Sequence, residues 1–151
     1  MRRLLAVLAL CTALASPLAA QARDSTPATI TLPPDLARVL TDYENAYPRG
    51  GAAVAELFVE DGYVLSPGVP PIRGREGIAR RYGAGGPLAL RAFAYSIDGS
   101  TAFILGAYAP RRGDPDAGKF TLALKRRGDG RWMIFSDMDN PNSRPTRPPA
   151  P

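Results

Sequence analysis

In the first half of the chain, apolar positions recur every three or four residues. Leu36, Val39, Leu40, Tyr43 and Tyr47 fall on one face, the spacing of a helix packed along one side. Asp35 follows Pro33-Pro34 and is placed to cap that helix. Pro48-Arg49-Gly50-Gly51 ends it. Ala52 to Glu60 reads as a second helix that turns Val54, Leu57 and Phe58 inward. Asp61-Gly62 then leads into a short strand, Tyr63-Val64-Leu65, and Pro67 to Pro71 reads as loop. Gly74 opens a third helix over Arg75 to Tyr82, with Ile78, Ala79 and Tyr82 on one side, and Gly83 to Gly86 closes it.

Beyond Gly86 the period changes from 3.6 to 2. Four strands are predicted: Leu88–Ile97, Thr101–Ala109, Lys119–Arg127 and Arg131–Asp139. Asp98-Gly99 and Asp129-Gly130 are hairpin turns. Three helices followed by a meander of strands make an α+β domain. A sheet with one wet face alternates cleanly between apolar and polar. In Leu88–Ile97 one parity carries Leu88, Leu90, Ala92 and Ala94, and the other carries Phe93, Tyr95 and Ile97. Thr101–Ala109 is likewise apolar on both parities. Helices cover one face; the expected cover for the other is a second copy of the chain, and the alternative is the chain's own loop and tail.

The ends read differently from the middle. Arg2 and Arg3 precede an apolar run from Leu4 to Ala15, and Ala20-Gln21-Ala22 fits a cleavage site. The pattern is that of a secretory signal peptide over residues 1–22, and the run is too short to span a membrane. Residues 23–34 read as a linker, residues 35–140 as one domain, and residues 141–151, with five prolines, as an extended tail. The expected location is exported, periplasmic or extracellular, in a bacterium, with no membrane attachment after cleavage. Cleavage after Ala22 would remove two of the 19 basic residues and none of the 14 acidic ones, lowering the net charge from +5 to +3. That charge is spread along the chain, so no nucleic-acid partner is expected.

Two absences narrow the chemistry. The chain has no histidine, and its one cysteine, Cys11, lies inside the signal segment. A Ser-His-Asp triad, a Cys-His pair and a His- or Cys-ligated metal site are therefore ruled out. Asp114 and Asp116 are too few and too widely spaced for calcium, so no metal is expected. Proton transfer must use Asp, Glu, Tyr, Lys or water. The last strand ends in GRWMIFSDMDN, which sets Asp137 and Asp139 on one parity with Met133 and Phe135, about 6.6–6.8 Å apart along a strand. If one faces a pocket, the other follows, and each raises the other's proton affinity. The competing reading is structural, since Asp139-Asn140-Pro141 is turn chemistry. Arg73 and Arg75 flank Gly74 at a helix start, where an anion or plain solvent suits them.

Four stretches, LARVLTDYENAY, AELFVEDGYVLSPG, IRGREGIARRY and GKFTLALKRRGDGRWMIFSDMDN, give the chain a likeness that covers nearly all of residues 35–140. It resembles the nuclear transport factor 2-like superfamily, which includes ketosteroid isomerase-like and polyketide cyclase-like (SnoaL-like) domains. The resemblance implies a cone: three helices packed in a strongly curved antiparallel sheet, with a pocket at the open end. It also implies a homodimer formed through the sheet face. Function varies widely on this fold. In ketosteroid isomerase-like enzymes an Asp is the base and a Tyr donates to the oxyanion. The resemblance suggests Tyr43 for the donor's catalytic role, and strand position makes Asp137 the candidate base. A His-Asp arrangement, found in some relatives, is impossible without histidine.

Tyr47, Tyr63, Tyr82, Tyr108 and Trp132, with Asp139, are the expected ligand-binding side chains, an apolar lining with polar tips suited to a small apolar molecule. Three functions follow as expectations. The first is a pocket that binds such a molecule, with or without catalysis. The second is a cofactor-free isomerase, cyclase or dehydratase with an Asp base. The third is a protein–protein assembly module.

Overall fold

A computed structural model describes residues 26–142. The expected signal peptide, the start of the linker and most of the proline-rich tail lie outside them. In chain order the elements are α1 (Pro34–Ala46), a 3-10 turn (Tyr47–Arg49), α2 (Gly51–Ala55), β1 (Phe58–Leu65), β2 (Ile72–Arg73), α3 (Arg75–Arg81), β3 (Ala89–Asp98), β4 (Thr101–Ala109), β5 (Gly118–Arg126) and β6 (Trp132–Pro141). The strands form one sheet in the order β2-β1-β6-β5-β4-β3.

The face of α1 is the predicted one. Leu36, Val39, Leu40, Tyr43 and Ala46 are its buried residues. They share one core with Leu90, Ala92, Ile104, Phe120, Leu122, Leu124 and Ile134 from four strands. Each fully buried aliphatic side chain contributes about 1.5–3 kcal/mol, so this stripe fixes where α1 lies across the sheet. Asp35 is not the residue before the helix. The helix begins at Pro34, and no side chain caps it. Asp35 Oδ2 instead accepts from Trp132 Nε1 at 2.9 Å and from Arg126 at 2.8 Å, joining the start of α1 to β5 and β6.

The second helix is shorter than its periodicity suggests. It stops at Ala55, and Phe58 opens β1. Tertiary pairing overrides the local signal: Leu57 O accepts from Ile134 N at 2.9 Å, and Phe58 pairs with Ile134. Phe58 O then accepts two bonds from the Arg75 guanidinium, at 2.7 and 2.8 Å, which gives Arg75 a structural task. β1 runs parallel to β6, the only parallel pairing among the described residues. The expected four-strand meander is thus extended on one side by β1 and β2, and the sheet is not wholly antiparallel.

Two strands carry an extra residue. In β3 the pairing steps from Ala92–Gly106 to Ala94–Leu105, leaving Phe93 unpaired. In β6 it steps from Ile134–Leu124 to Ser136–Ala123, leaving Phe135 unpaired. Such bulges bend a strand and reverse the facing of everything beyond them. A cation covers each ring: Arg91 lies 4.5 Å from the centroid of Phe93, and Lys125 lies 3.8 Å from that of Phe135. Unbroken alternation is therefore the wrong description of both strands. By register Tyr95 and Ile97, both exposed at the far end of β3, fall on the same side as Leu90 and Ala92, and Asp137 falls on that of Trp132 and Ile134, not on that of Met133 and Phe135.

The outer face is apolar in its middle, as the two-sided pattern anticipates. Phe103, Leu105 and Met138 are 39%, 37% and 52% exposed, and Leu105 and Met138 both pair with Thr121 between them. The free edge at β3 is partly covered. Ile30 N donates to Ala92 O at 2.9 Å, and Glu44 accepts from Leu90 N at 2.7 Å.

α2 sits directly on the end of α3. A Cβ built at Gly51 would lie 1.9 Å from Ala79 O and 2.5 Å from Tyr82 O, both backbone atoms that cannot turn aside. Gly51→Ala is expected to cost about 1–3 kcal/mol by overpacking. Gly128→Ala, where nothing lies within 4 Å, is expected to be near neutral. Urea unfolding of the two variants against the parent chain checks both.

Candidate functional site

Between α1, the end of α3 and the inner face of the sheet lies a cavity of about 280 Å³. Its position follows from the elements. Tyr43 lies on the buried stripe of α1, and Tyr47 stands one turn later. α3 ends at Tyr82, which leaves the helix with an extended backbone and brings its ring back over Tyr47, edge to face at 6.2 Å. Tyr43 and Tyr47 stack at 6.4 Å. From the sheet come Tyr108, Phe120 and Leu122, together with both carboxylates, Asp137 and Asp139. The bulge at Phe135 is what turns those carboxylates inward.

Asp137 is the single buried charged residue among the described residues, at 4% exposure. Tyr43 Oη donates to its Oδ2 at 2.7 Å. Tyr82 Oη stands 3.1 Å from Tyr43 Oη and 3.5 Å from the same Oδ2. Each hydroxyl has one proton, so the geometry is a relay in which Tyr82 donates to Tyr43 and Tyr43 donates to Asp137. Asp139 is half-buried, and its Oδ1 accepts from Ser66 Oγ at 2.8 Å.

Burial pushes the Asp137 carboxyl up to about 6; the Tyr43 hydrogen bond opposes the rise and the Asp139 charge adds to it. Burial also holds Tyr43 well above its ordinary value, with the Asp137 charge acting in the same direction. Tyr82 is raised by burial and then by Asp137. Tyr108 is raised by burial and then by Asp139. The tyrosines therefore remain protonated donors, and Asp137 is the group that changes charge near neutral pH.

Six of the eight side chains singled out in the sequence meet at this cavity: Tyr43, Tyr47, Tyr82, Tyr108, Asp137 and Asp139. Two do not. Tyr63 pairs in register with Ser136 on the outer face, where it packs edge-on to Phe135 at 5.8 Å and under Arg73 at 5.6 Å. Trp132 lies at the opposite end of α1, bonded to Asp35 and covered by Arg126 at 4.5 Å. Both satisfy their polar tips or rings structurally. Asp116 is likewise committed, to an ion pair with Arg91. Ser66 and Arg81 line the cavity and were not anticipated. No local pattern marks either residue: Ser66 follows β1 and Arg81 ends α3, and only the tertiary arrangement brings them to one cavity. Among the described residues no group of three His, Cys, Asp or Glu is placed to hold a metal ion, and no helix is long and apolar enough to cross a membrane.

No protein-family model matches the sequence, and no curated protein does. Solved structures do match. A ketosteroid isomerase-like protein from Erwinia carotovora atroseptica superposes with a TM-score of 0.57 at 18% identity, covering 72% of this chain and 94% of that one. An NTF2-like protein with a cystatin-like fold from Novosphingobium aromaticivorans gives 0.53 at 20% identity, over 74% and 82% of the two chains. The fold is nuclear transport factor 2-like. A protein of unknown function from Mycobacterium tuberculosis also superposes, with a TM-score of 0.60 at 21% identity over 78% of this chain and 75% of that one. At such identities the likeness carries the fold and leaves the activity to the site.

The raised carboxyl has a stability consequence. The folded chain holds a proton on Asp137 up to about pH 6, whereas the unfolded chain releases it near 3.8. Between those values the folded state binds more protons, so this group's contribution to stability falls as pH rises, by about 3 kcal/mol across the window. Asp137→Asn is expected to remove that slope. Chemical denaturation of the parent and variant at a series of pH values, compared by difference, checks the sign and the size.

Proposed function

We propose that this chain binds a small, largely apolar molecule in the cavity, with its polar group directed at Asp137. One observation carries this reading: a cavity whose wall holds a buried carboxyl group. The volume stands near the lower end of the range for small-molecule sites, roughly 300–1,000 Å³, which favours a compact ligand. Met1–Ala22, read as a secretory signal, makes the proposed setting exported, periplasmic or extracellular.

A second reading is supported by the same carboxyl. A base that faces a cavity and titrates to about 6 suits proton abstraction at neutral pH, as in a cofactor-free isomerase, cyclase or dehydratase. Tyr43 weakens this reading in one respect. Its one proton goes to Asp137, so it supports the carboxylate and is not available to an oxyanion. Binding is for that reason placed ahead of catalysis.

Thermal unfolding against a panel of small apolar compounds separates the two readings. A binder is expected to rise by several degrees with its ligand, and to keep part of that rise in Asp137→Asn. An enzyme of the proposed kind is expected to show a rate that climbs through about pH 6, with kcat falling at least a hundredfold in Asp137→Asn while the fold is kept. No stabilisation by any compound and no turnover would defeat both.

We also propose a homodimer formed through the outer sheet face, supported by the exposed Phe103, Leu105 and Met138. Light scattering is expected to give twice the chain mass for the parent and one chain mass for Leu105→Lys. A parent that is monomeric at high concentration overturns it.

A further inference from the structure

We propose that the ligand of this cavity is an organic cation, a protonated or quaternary amine on a compact apolar body. The proposal rests on the small-ligand reading above and narrows it to one chemical class.

The carboxylates on the cavity wall carry charge that the chain itself does not pair. The ion pairs among the described residues use Asp61, Glu76, Asp116, Glu44, Asp35 and Asp129, and none involves Asp137 or Asp139. Asp137 Oδ2 accepts from Tyr43, and Tyr82 Oη stands 3.5 Å from it. Its Oδ1 accepts no hydrogen bond among the described residues. No sealed side-chain nitrogen or oxygen there lacks a partner, so Oδ1 is open, and it opens into the cavity that Asp137 lines. A residue 4% exposed thus aims an unpartnered carboxylate oxygen at the ligand space. A buried carboxylate with no counter-charge is costly, and a cation beside it removes that cost.

The rest of the wall fits the same class. Tyr43, Tyr47 and Tyr82 pack as a stacked pair and an edge-on pair, and Tyr108 adds a fourth ring to the lining. Aromatic faces attract ammonium groups, most strongly when desolvated. A neutral ligand leaves the carboxylate unpaired, and an anion is repelled by Asp137 and Asp139 together. The single cationic side chain on the lining is Arg81, which is exposed at the rim and 6.0 Å above the outer ring of Tyr82.

The groups facing Asp137 are Tyr43 and Tyr47 from α1 and the turn after it, Arg81 and Tyr82 from the end of α3, Tyr108 from β4 and Asp139 from β6. The β5 side chains, Phe120 and Leu122, carry no charge. Asp137 is placed to gain or lose a proton around pH 6. A bound cation favours its ionised form, so binding near that pH releases protons.

Three probes with one body and three charges test the idea: 2-phenylethylamine, 2-phenylethanol and 3-phenylpropanoate, titrated by calorimetry into the full chain. Near pH 8 the amine is expected to bind at least tenfold more tightly than the alcohol, and the carboxylate not at all. Near pH 5 the preference for the amine is expected to fall severalfold, and near pH 6 the heat of amine binding is expected to depend on the buffer's ionisation enthalpy. Asp137→Asn is expected to lose the preference and keep the alcohol. Equal or tighter binding of the alcohol overturns the proposal and leaves the small-ligand reading standing. An amine preference in the parent chain that is unchanged from pH 8 to pH 5 also overturns it, and that comparison requires no variant. If none of the three binds, this proposal fails, and the small-ligand reading fails with it only when the wider panel of apolar compounds also leaves the chain unstabilised.

Discussion

One unpaired residue, Phe135, decides what the last strand presents to the interior. Side chains on a strand alternate strictly, so a single added residue exchanges the two faces beyond it. Before Phe135 the inner positions are Trp132 and Ile134, which belong to the core. After it they are Asp137 and Asp139, which line the cavity. An uninterrupted β6 with Ile134 in the core would send both carboxylates to the outer face. The core and the site are thus compatible on one strand only because the ladder slips between Ser136 and Ile134. The lysine over the Phe135 ring helps hold the extra residue outside.

A carboxyl at Asp137 is a poor choice for stability. A well-packed apolar side chain would avoid the desolvation that raises its proton affinity, and the Tyr43 hydrogen bond offsets only part of it. The chain compensates elsewhere. Phe58, Leu36, Ile78, Ile104, Leu122, Leu124, Ile134, Val54 and Val64 are all fully buried, and the start of α1 is tied to β5 and β6 through Asp35. A group that costs stability at the wall of a cavity, inside a scaffold otherwise consistent with its fold, is the usual mark of a working site.

Much of this was legible in the sequence, for identifiable reasons. The stripe of α1, the bounds of β4 and the two hairpins follow from period and turn chemistry, which are local. The early end of α2 was not legible, because Phe58 becomes a strand residue only through pairing with β6, about seventy-five residues later. The bulges at Phe93 and Phe135 were not legible either, since a bulge leaves no local mark and spoils any argument from parity. Asp137 and Tyr43 were singled out from strand position and resemblance, and six of the eight chosen side chains share one cavity. Tyr63 and Trp132 were misplaced because an aromatic with a polar tip reads the same whether it meets a cavity, a cation or a carboxylate.

β6 is the last strand in sequence, yet it sits between β1 and β5. Until it arrives, those two neighbours each show a bare row of peptide groups, and β1 with β2 has no link to the rest of the sheet. β6 fills that gap, and the same strand sets Asp137 and Asp139 on the cavity wall. The joint between the two parts of the sheet and the acid groups of the hollow are therefore one segment, and a change that loosens the joint disturbs the hollow with it.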